Sequence, residues 1–576
     1  MAIDDGSIAG LSVAEQIRRS WTRLNSRYEN QGWLGHHREI AKNFMPRKGR
    51  YLKSANIDTS DMDRGSQMNG SLLNSTGVIA ARTLASGLMS GITSPARPWF
   101  KLALPLQQAK NQSWATRVWL YQVTQIMLEI AAQSNTYKSL SGIYEEVGVF
   151  GIASAAMEED FDDVVSLSCL TIGEYRVATD AKGKVNRQYR QMVMTVMQMV
   201  EKFGKENVSD LVAQKFEDKK WDDEYIIIHA VEPNPMSNPF NKNPKSKPFV
   251  STYIQLDEGG NNSNGGNAIP DNQRILKRHY LDYFPYLTPR WAVIGPDPYG
   301  HAPGMNGLPE MKSINHLELR KAQLVDRLSA PPMWGPPSLR TQKINWNPGG
   351  VTYVADPSGN GIKPIYVPSA QALEYVIKEI ERKEASVKAA FYADLWMQML
   401  ESDRREMTAA EVYERRSEKM ILLGPTLQQV EGDLLIPYLK FVFWRGTQAN
   451  IFPDPPEEIA GQPVRIDFIS VMHQALLSTA TASIERVLGF VGNLAPIFPD
   501  ATDNIDVDEA VTNYNDFVGA PPTLMRDPKV RDQARQAKAA AAERARMLEA
   551  APKLATGAAA LANLDVGDGI TAASMA

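Results

Sequence analysis

The chain has 576 residues, of which 43% are hydrophobic and 22% charged, so it can bury sizeable cores and is long enough for more than one domain. Its 62 basic and 66 acidic residues give a net charge of -4, which excludes a global basic field around the chain and requires any contact with nucleic acid to be local. One cysteine, an acidic start in place of a secretion signal, and no apolar run of bilayer length lead us to expect a chain without disulfides or membrane segments that folds in a reducing cytoplasm.

The N-terminal part of the sequence predicts a series of helices. Ser12 and Glu15 match the S-x-x-E capping box, and an apolar helix face follows them. A helix that starts near Leu72 is rich in alanine, glycine and serine, which would let a neighbouring backbone approach closely, and the segment from Gly91 to Pro98 ends it. The other helical patterns cover residues 33–44, 113–133 and 136–149. We expect these helices to form a closely packed scaffold.

Between Ala156 and about Gly300 the pattern changes to that of a β-rich lobe. Strand-like segments run from Ala156 to Gln198, with DAKGK at 180–184 as the turn between two of them. YIIIHAVEPN and FVSTYIQLDE predict another pair of strands, and NNSNGGN at 261–267 predicts a surface loop.

Two long helical patterns flank a proline-rich insert in the middle of the sequence. The first helix covers about Leu308 to Leu328, and the insert covers Pro331 to Pro368. The insert carries eight prolines and five glycines, together with a predicted hairpin in which PSGNG joins GVTYVAD to GIKPIYV. Such a module should protrude from the body of the protein.

A second helix follows the insert, and a third, longer helix follows a short loop. Ser369 is the predicted N-cap of the second helix, whose apolar stripe ends at Leu395. The loop is WMQMLESDRREM, and the third helix starts at Thr408 within a TAAE capping box. We expect Gly424 and Pro425 to kink this helix midway, because proline removes a backbone donor.

Four stretches of the sequence resemble recurring blocks of the portal, or head-to-tail connector, proteins of short-tailed bacteriophages. They are LNSTGVIAARTLASGLMSGITSPARPWFKL, VGVFGIASAAMEED, HAPGMNGLPEMKSINHLELRKAQL and MTAAEVYERRSEKMILLGPTLQQVEGDLLIPYL. The resemblance covers the chain from Ser12 to about Leu439. It implies a subunit of a ring, usually of about twelve copies, at one capsid vertex, through which DNA is pumped in and later leaves.

The resemblance also implies an α+β fold divided into named regions: a helical and β-rich wing, two stem helices flanking a protruding clip, a long kinked wing helix and a mainly helical C-terminal crown. On this sequence the regions are 1–304 for the wing, 305–330 for the first stem helix, 331–368 for the clip, 369–395 for the second stem helix, 396–407 for a channel loop, 408–447 for the kinked wing helix, 448–556 for the remaining wing and crown, and 557–576 for a flexible tail. The resemblance fades after Gly446, so the crown is assigned from its order along the chain.

A DNA channel must let the phosphate backbone pass without gripping it, because each lysine or arginine on a phosphate strengthens binding. Charges of both signs alternate along the stem segments, which suits such a surface and equally suits an ordinary solvated helix face. We expect Arg404 and Arg405 of the channel loop to contact DNA, the alternative being that they pair with neighbouring carboxylates. Lys378, Arg382 and Lys383 of the second stem helix are further candidates.

The clip would present its edges and turns first to the packaging motor, the terminase, and then to a tail adaptor protein. Its candidate docking residues are Trp334, Arg340, Trp346 and Tyr353. The resemblance further implies contacts with other copies of the chain, with double-stranded DNA without sequence preference, and with the major capsid and scaffolding proteins. It implies a location in the virion at the capsid portal vertex, after assembly in the host cytoplasm.

The sequence shows no basis for catalysis and none for a cofactor. It lacks a G-x-x-x-x-G-K-[ST] phosphate loop, a G-x-S-x-G nucleophile elbow and an H-E-x-x-H metal pair. We therefore expect a protein that is not an enzyme, with the ATP-driven motor as a separate partner.

Two other functions stay open. A different ring-forming virion protein, such as a tail or capsid component, would leave the order of helix, insert, helix and kinked helix unexplained. A metal-dependent hydrolase would use His36, His37 and the acidic run from Glu158 to Asp163, but exposed acids on a turn explain that run as well.

The C-terminal segment has an uneven distribution of charge. Between Arg486 and Arg526 there are six acidic residues and no lysine or arginine, whereas the segment from Arg526 to Lys553 has eight basic and four acidic residues. The basic segment could pair with the acidic stretch of a neighbouring subunit, or it could face packaged DNA or internal core proteins.

Overall fold

The computed structural model describes residues 12–53, 70, 72–105, 113–241, 243–256, 269–270, 273–335, 337–340, 345, 362–367, 369–396, 423–459, 461–469, 485–493, 496, 505–518, 524–527 and 529–545. The chain divides into two compact units. One unit consists of Met1–Phe100, Gln125–Phe452 and Phe468–Ser478, and the other of Lys101–Thr124, Pro453–Asp467 and Thr479–Ala576. The β-rich lobe and the two long central helices both belong to the first unit.

Helices and antiparallel sheets make up the described part of the chain. The helices are α1 Val13–Asn30, α2 Trp33–Phe44, α3 Thr76–Ile92, α4 Trp114–Gln133, α5 Thr136–Phe150, α6 Val196–Phe203, α7 Asp210–Glu217, α8 Pro303–Ser329, α9 Ala370–Ala390, α10 Gly424–Val430, α11 Ile436–Gln448, α12 485–493, α13 Val507–Val518 and α14 529–545. The strands are β1 Phe100–Ala103, β2 Ser154–Asp160, β3 Val164–Leu170, β4 Tyr175–Thr179, β5 Val185–Thr195, β6 Glu224–Pro233, β7 Phe249–Gln255, β8 Ile275–Leu281, β9 Tyr286–Leu287, β10 Met333–Trp334, β11 Lys363–Pro364 and β12 Arg465–Phe468. This mixture confirms the α+β class.

The larger sheet of the lobe has the order β4-β5-β6-β7-β8, and every neighbouring pair is antiparallel. Asp180 forms the turn between β4 and β5, since its Oδ1 accepts the backbone N–H groups of Lys182 and Lys184. The turn predicted at DAKGK is therefore confirmed. The strand region predicted to reach Gln198 stops earlier, at Thr195, because these two residues form a capping box that starts α6.

Helices cover both faces of this sheet. On one face α1 contributes to a core cluster of Ala14, Ile17, Trp21, Tyr189, Ile226, Ile228, Ala230, Ile254 and Leu256. On the other face α6 and α7 contribute to a second cluster of Val196, Met199, Phe203, Val208, Val212, Tyr225, Ile227 and Leu276. Neighbouring residues of β6 alternate between the two clusters, as the period of two in a strand requires. Each large apolar side chain buried in this way stabilises the lobe by about 1.5–3 kcal/mol.

The small-residue helix, α3, begins later than predicted. Its first residue is Thr76 in place of Leu72, because side-chain hydrogen bonds hold the preceding residues outside the helix. Asn315 Oδ1 accepts the N–H of Asn74 at 3.3 Å, and Asn74 Oδ1 accepts the N–H of Thr76 at 2.8 Å. The helix ends at Ile92, within the segment from Gly91 to Pro98 that was predicted to end it.

The small residues of α3 make room for an indole ring. A Cβ atom at Gly87 would lie 2.1 Å from Cδ2 of Trp396, and one at Gly91 would lie 3.4 Å from Cζ3 of the same ring. Trp396 is buried. At Gly87 the close neighbour is therefore a side chain, whereas the backbone of α5 approaches α3 elsewhere along the helix.

In the second unit, the acidic and basic C-terminal segments meet within one chain. Asp508 accepts a bidentate pair of hydrogen bonds from Arg535, at 2.7 and 2.8 Å, and its Oδ2 lies 3.1 Å from Arg531. At these residues the pairing expected between neighbouring subunits occurs inside the subunit. The predicted flexible tail, 557–576, lies outside the described residues. Among the helices that the structure describes, none is both long enough and apolar enough to cross a bilayer.

Candidate nucleic-acid interface and docking surface

The two predicted stem helices correspond to α8 and α9, which run antiparallel to each other. A Cβ at Gly307, near the start of α8, would lie 3.4 Å from the ring of Phe391, just beyond the end of α9. At the opposite end of the pair, Met333–Trp334 and Lys363–Pro364 form an antiparallel ladder. The insert between the helices therefore leaves and returns at adjacent points.

The helix bounds differ from the sequence prediction at two points. α8 begins at Pro303, with a proline in its first turn, and not near Leu308. Ser369 caps α9 as predicted, since its Oγ accepts the N–H of Ala372 at 3.3 Å. However, α9 stops at Ala390 and does not continue to Leu395. Tyr392 has a φ of 55°, in the left-handed region, so the chain breaks there before residues 393–396 form a further helical turn.

Polar side chains hold α8 and α9 together. Lys383 Nζ on α9 lies 2.8 Å from Glu310 Oε2 on α8. Asn74 Nδ2 donates to Glu318 Oε1 of α8 at 3.3 Å and to Glu384 Oε1 of α9 at 2.8 Å. The residues in front of α3 thus bridge both long helices.

The three described candidates for DNA contact already have carboxylate partners. Lys378 lies 2.8 Å from Glu374, and Arg382 donates two hydrogen bonds to Glu379, at 2.7 and 3.0 Å. Arg382 also holds the pKa of the Glu379 carboxyl below its ordinary value by donating to it. Together with the partner of Lys383 on α8, these pairs leave the α9 surface close to neutral. Exposed pairs of this kind stabilise the fold by only about 0–1 kcal/mol, so they can open and close.

The other two DNA candidates, Arg404 and Arg405, lie outside the described residues. The described chain stops at Trp396 and resumes at Leu423, and both of these side chains are buried. The described residues on either side of the segment that carries the two arginines are therefore packed in the core.

The described part of the predicted third helix departs from regular α geometry after the predicted kink site at Gly424 and Pro425, and the kink itself stays a prediction. α10 begins at Gly424 with Pro425 in its first turn, where a missing N–H breaks no helical hydrogen bond. The departure is a π-helical segment, Glu431–Leu435, immediately before α11. Residues 408–422 of the predicted helix lie outside the described part of the chain.

The π-helical segment carries two acidic side chains with different surroundings, Asp433 and Glu431. Asp433 Oδ2 accepts from Gln429 Nε2 at 2.7 Å and lies 3.4 Å from Arg290 Nε. Burial raises the pKa of Glu431 to about 7, and its Oε1 has no hydrogen-bond partner among the described residues.

The described ends of the insert expose an apolar surface, which is the candidate docking surface. Trp334 is 52% exposed, and Ile365, Tyr366 and Val367 on the returning segment are 67%, 57% and 49% exposed. Arg340 is exposed as well. Trp346 and Tyr353 lie outside the described residues, as does the GVTYVAD half of the predicted hairpin.

Sequence reasoning missed the returning segment as part of this surface. Lys363–Pro364 pairs with Met333–Trp334, and the predicted hairpin with GVTYVAD stays a prediction, because that half lies outside the described residues. The signal that could have found it is the apolar run IYV directly before a proline, at the boundary of the insert.

The acidic run proposed as a metal site forms a turn. Asp160 Oδ1 accepts the N–H groups of Asp162 and Asp163, at 2.9 and 3.2 Å, and Glu159 lies 3.1 Å from Arg445. Within the described ranges, no group of three or more histidine, cysteine, aspartate or glutamate side chains could hold a metal ion.

The two histidines of the hydrolase alternative have different surroundings. His37 is buried and shares a 2.7 Å hydrogen bond with the hydroxyl of Tyr28, whereas His36 is only half-buried. Burial lowers the pKa of His37 to about 3, so its imidazole is neutral. These histidines belong to the packing of α2.

Comparison with known proteins assigns the family. Residues 14–525 match the model of the bacteriophage head to tail connecting protein family. The chain is 37% identical over 520 residues to a probable portal protein of Bordetella phage BPP-1, an alignment that covers 89% of this chain and 90% of the relative. It is 34% identical over 548 residues to a portal protein of Salmonella phage epsilon15, and this alignment covers 95% of the chain and 94% of the relative. The chain therefore belongs to the family of bacteriophage head-to-tail connecting proteins.

Proposed function

We propose that this chain is the portal subunit of a short-tailed bacteriophage. About twelve copies would form a closed ring at one capsid vertex, and double-stranded DNA would pass through its channel during packaging and ejection. The role is structural, and ATP hydrolysis belongs to the terminase that docks on the ring.

The antiparallel pair α8 and α9 with its closed insert is the observation that carries this proposal. The pair would form the channel wall, because its two helices carry eight basic and seven acidic residues and are close to neutral overall. A near-neutral wall binds phosphates weakly, so it would let the duplex slide.

Exposed apolar side chains on the same two helices support assembly into a ring. Leu319 and Val325 of α8 and Tyr375 and Ile377 of α9 are between 39% and 72% exposed in the single chain. Large apolar side chains that are this exposed in the single chain could be buried against neighbouring copies. Neighbouring copies would cover them through head-to-tail contacts, which give a closed ring when the rotation closes.

The insert would be the docking module. Its exposed Trp334 and Arg340 suit a protein interface, where tryptophan and arginine dominate binding energy. The terminase would bind there during packaging and a tail adaptor afterwards. The major capsid and scaffolding proteins would contact the outer body of the ring during assembly in the host cytoplasm.

Complementation tests this function. A phage that lacks the gene is supplied with the chain in the host, and nuclease-protected DNA per capsid is measured. The matched variant replaces residues 335–362 with a short glycine-serine linker, which the adjacent Met333–Trp334 and Lys363–Pro364 strands allow. We expect the intact chain to restore packaging, and the variant to form rings that package no DNA. Normal packaging without the chain, or with the variant, would refute the proposal.

A further inference from the structure

The outward face of α8 carries a row of polar side chains that differs from the α9 surface. The row consists of His316, Arg320, Gln323 and Arg327, spaced i, i+4, i+7 and i+11. At 3.6 residues per turn these positions share one face, opposite the buried Ile314. His316 and both arginines are exposed, and Gln323 is half-buried. We call this set the α8 row.

The two arginines of the α8 row lack the carboxylate partners found on α9. Arg320 Nη1 donates to Gln323 Oε1 at 3.1 Å, and no carboxylate among the described residues lies within ion-pair distance of Arg320 or Arg327. Glu318, the acid closest to Arg320 in sequence, pairs with Lys321 and accepts from Asn74. Within the described part of the chain, the α8 row is therefore a strip of positive charge without a counter-ion.

Acidic residues are also absent from the row itself. Asp326 is exposed beside Arg327 in sequence, but adjacent helix positions point about 100° apart. Lys312, one turn before His316, is neutralised by an ion pair with Glu39 of α2 at 2.5 Å, so the uncompensated charge of this face comes from Arg320 and Arg327. On α9, by contrast, Lys378 and Arg382 are each neutralised by a glutamate on the same helix.

The length of the α8 row fits a duplex backbone. Eleven residues of helix rise span about 16 Å at ~1.5 Å each. B-DNA carries one phosphate charge per ~1.7 Å of axis when both strands are counted, so a duplex of this length holds about ten phosphates, and those on the side of the helix lie within reach of the row. Guanidinium groups and a glutamine amide are donors for phosphate oxygens, and such contacts carry no sequence information.

We infer that the α8 row, and not the basic residues of α9, is the surface that touches the sugar-phosphate backbone of DNA in the channel. This inference rests on the proposed portal function and specifies which helix faces the duplex. Each subunit would contribute two arginines that have no carboxylate partner among the described residues. Each arginine would bind a phosphate weakly, so a moving duplex could pass from one contact to the next.

The test compares two variants that each remove two positive charges. Arg320→Gln with Arg327→Gln alters the α8 row, and Lys378→Gln with Arg382→Gln is the matched control on α9. Native mass measurement first shows whether rings form. Binding of a linear duplex to the rings is then measured from low to high salt. A duplex with streptavidin on both ends cannot enter the channel, so it gives the baseline for binding elsewhere on the ring.

We expect both variants to form rings. The α8 variant should bind the open-ended duplex more weakly, with a salt slope reduced by ~0.9 for each phosphate that the protein no longer touches, while the control keeps the wild-type slope. An unchanged slope in the α8 variant, an equal reduction in the control, or failure of the α8 variant alone to form rings would overturn the inference. Failure of the α8 variant to form rings would place the row in a subunit interface. Wild-type chain that forms no ring would instead refute the proposed function.

Discussion

Gly87 and Gly91 lie one turn apart on α3 and face the same indole ring, so alanine substitutions at the two sites separate packing from helix propensity. A Cβ at Gly87 would lie 2.1 Å from Cδ2 of Trp396 and 2.5 Å from Cε2 and Cγ. The ring would have to move by roughly 1 Å or more to reach ordinary contact distance, and overpacking of this kind costs about 1–3 kcal/mol. The gain from replacing a helical glycine is about 0.5–1 kcal/mol, so Gly87→Ala should destabilise the protein.

Gly91→Ala is the matched control. Its Cβ would lie 3.4 and 3.5 Å from the nearest atoms of Trp396, which is ordinary van der Waals contact. This variant should keep or slightly raise the wild-type stability, because only the helix-propensity gain of up to about 1 kcal/mol applies.

Thermal unfolding of the assembled protein at one fixed concentration distinguishes these outcomes. The midpoint should fall for Gly87→Ala and stay equal or rise for Gly91→Ala. In a Trp396→Leu background the penalty of Gly87→Ala should shrink, since contacting residues couple. Equal midpoints for the two alanine variants, or an undiminished penalty in the Trp396→Leu background, would refute the packing argument.

Three further predictions concern the kinked helix, the insert and the channel loop. Burial raises the pKa of Glu431 from 4.5 to about 7. Between these two pH values the folded state holds a proton that the unfolded state has released, so the free energy of unfolding of the wild type should fall as the pH rises through this range. Glu431→Gln should therefore stabilise the protein at pH 8 and not at pH 4 in urea unfolding, and equal gains at both pH values would contradict this. Trp334→Ala should leave the unfolding midpoint unchanged and weaken binding of the terminase to assembled rings, whereas Phe240→Ala, at a side chain 97% exposed in the lobe, should change neither. Alanine at both Arg404 and Arg405 should lower packaging or DNA retention while rings still assemble, and unchanged packaging would exclude these arginines from DNA contact.

Local signals in the sequence predict much of the order of elements. The cap at Ser369, the turn at Asp180 and the proline-rich boundaries of the insert depend on residues close together in the chain, so their patterns can be recognised without the fold. The presence of one long helix on either side of the insert follows from the same local signals.

Features that depend on distant residues were not predictable in this way. The indole of Trp396 lies against Gly87 because tertiary packing brings α3 and the end of the helical pair together. The pairing of Lys383 with Glu310 likewise depends on how α8 and α9 align. Tyr392 ends the regular part of α9 through a left-handed conformation that its residue type does not predict.

Pro425 illustrates the limit of a local rule. A proline predicts a kink inside a long helix, but it is also compatible with the first turn of a helix, where it lies in α10, so the kink stays a prediction. The observed irregularity, the π-helical segment at Glu431–Leu435, follows no simple sequence rule and is held by contacts of Asp433 with Gln429 and Arg290.

The mass and shape of the purified chain test the central claim of a ring most directly. Native mass measurement with negative-stain imaging should find a closed ring with a central channel and a mass about twelve times the 63.9 kDa of one chain. A monomer or compact dimer without a pore, persisting across salt and protein concentration, would contradict the account.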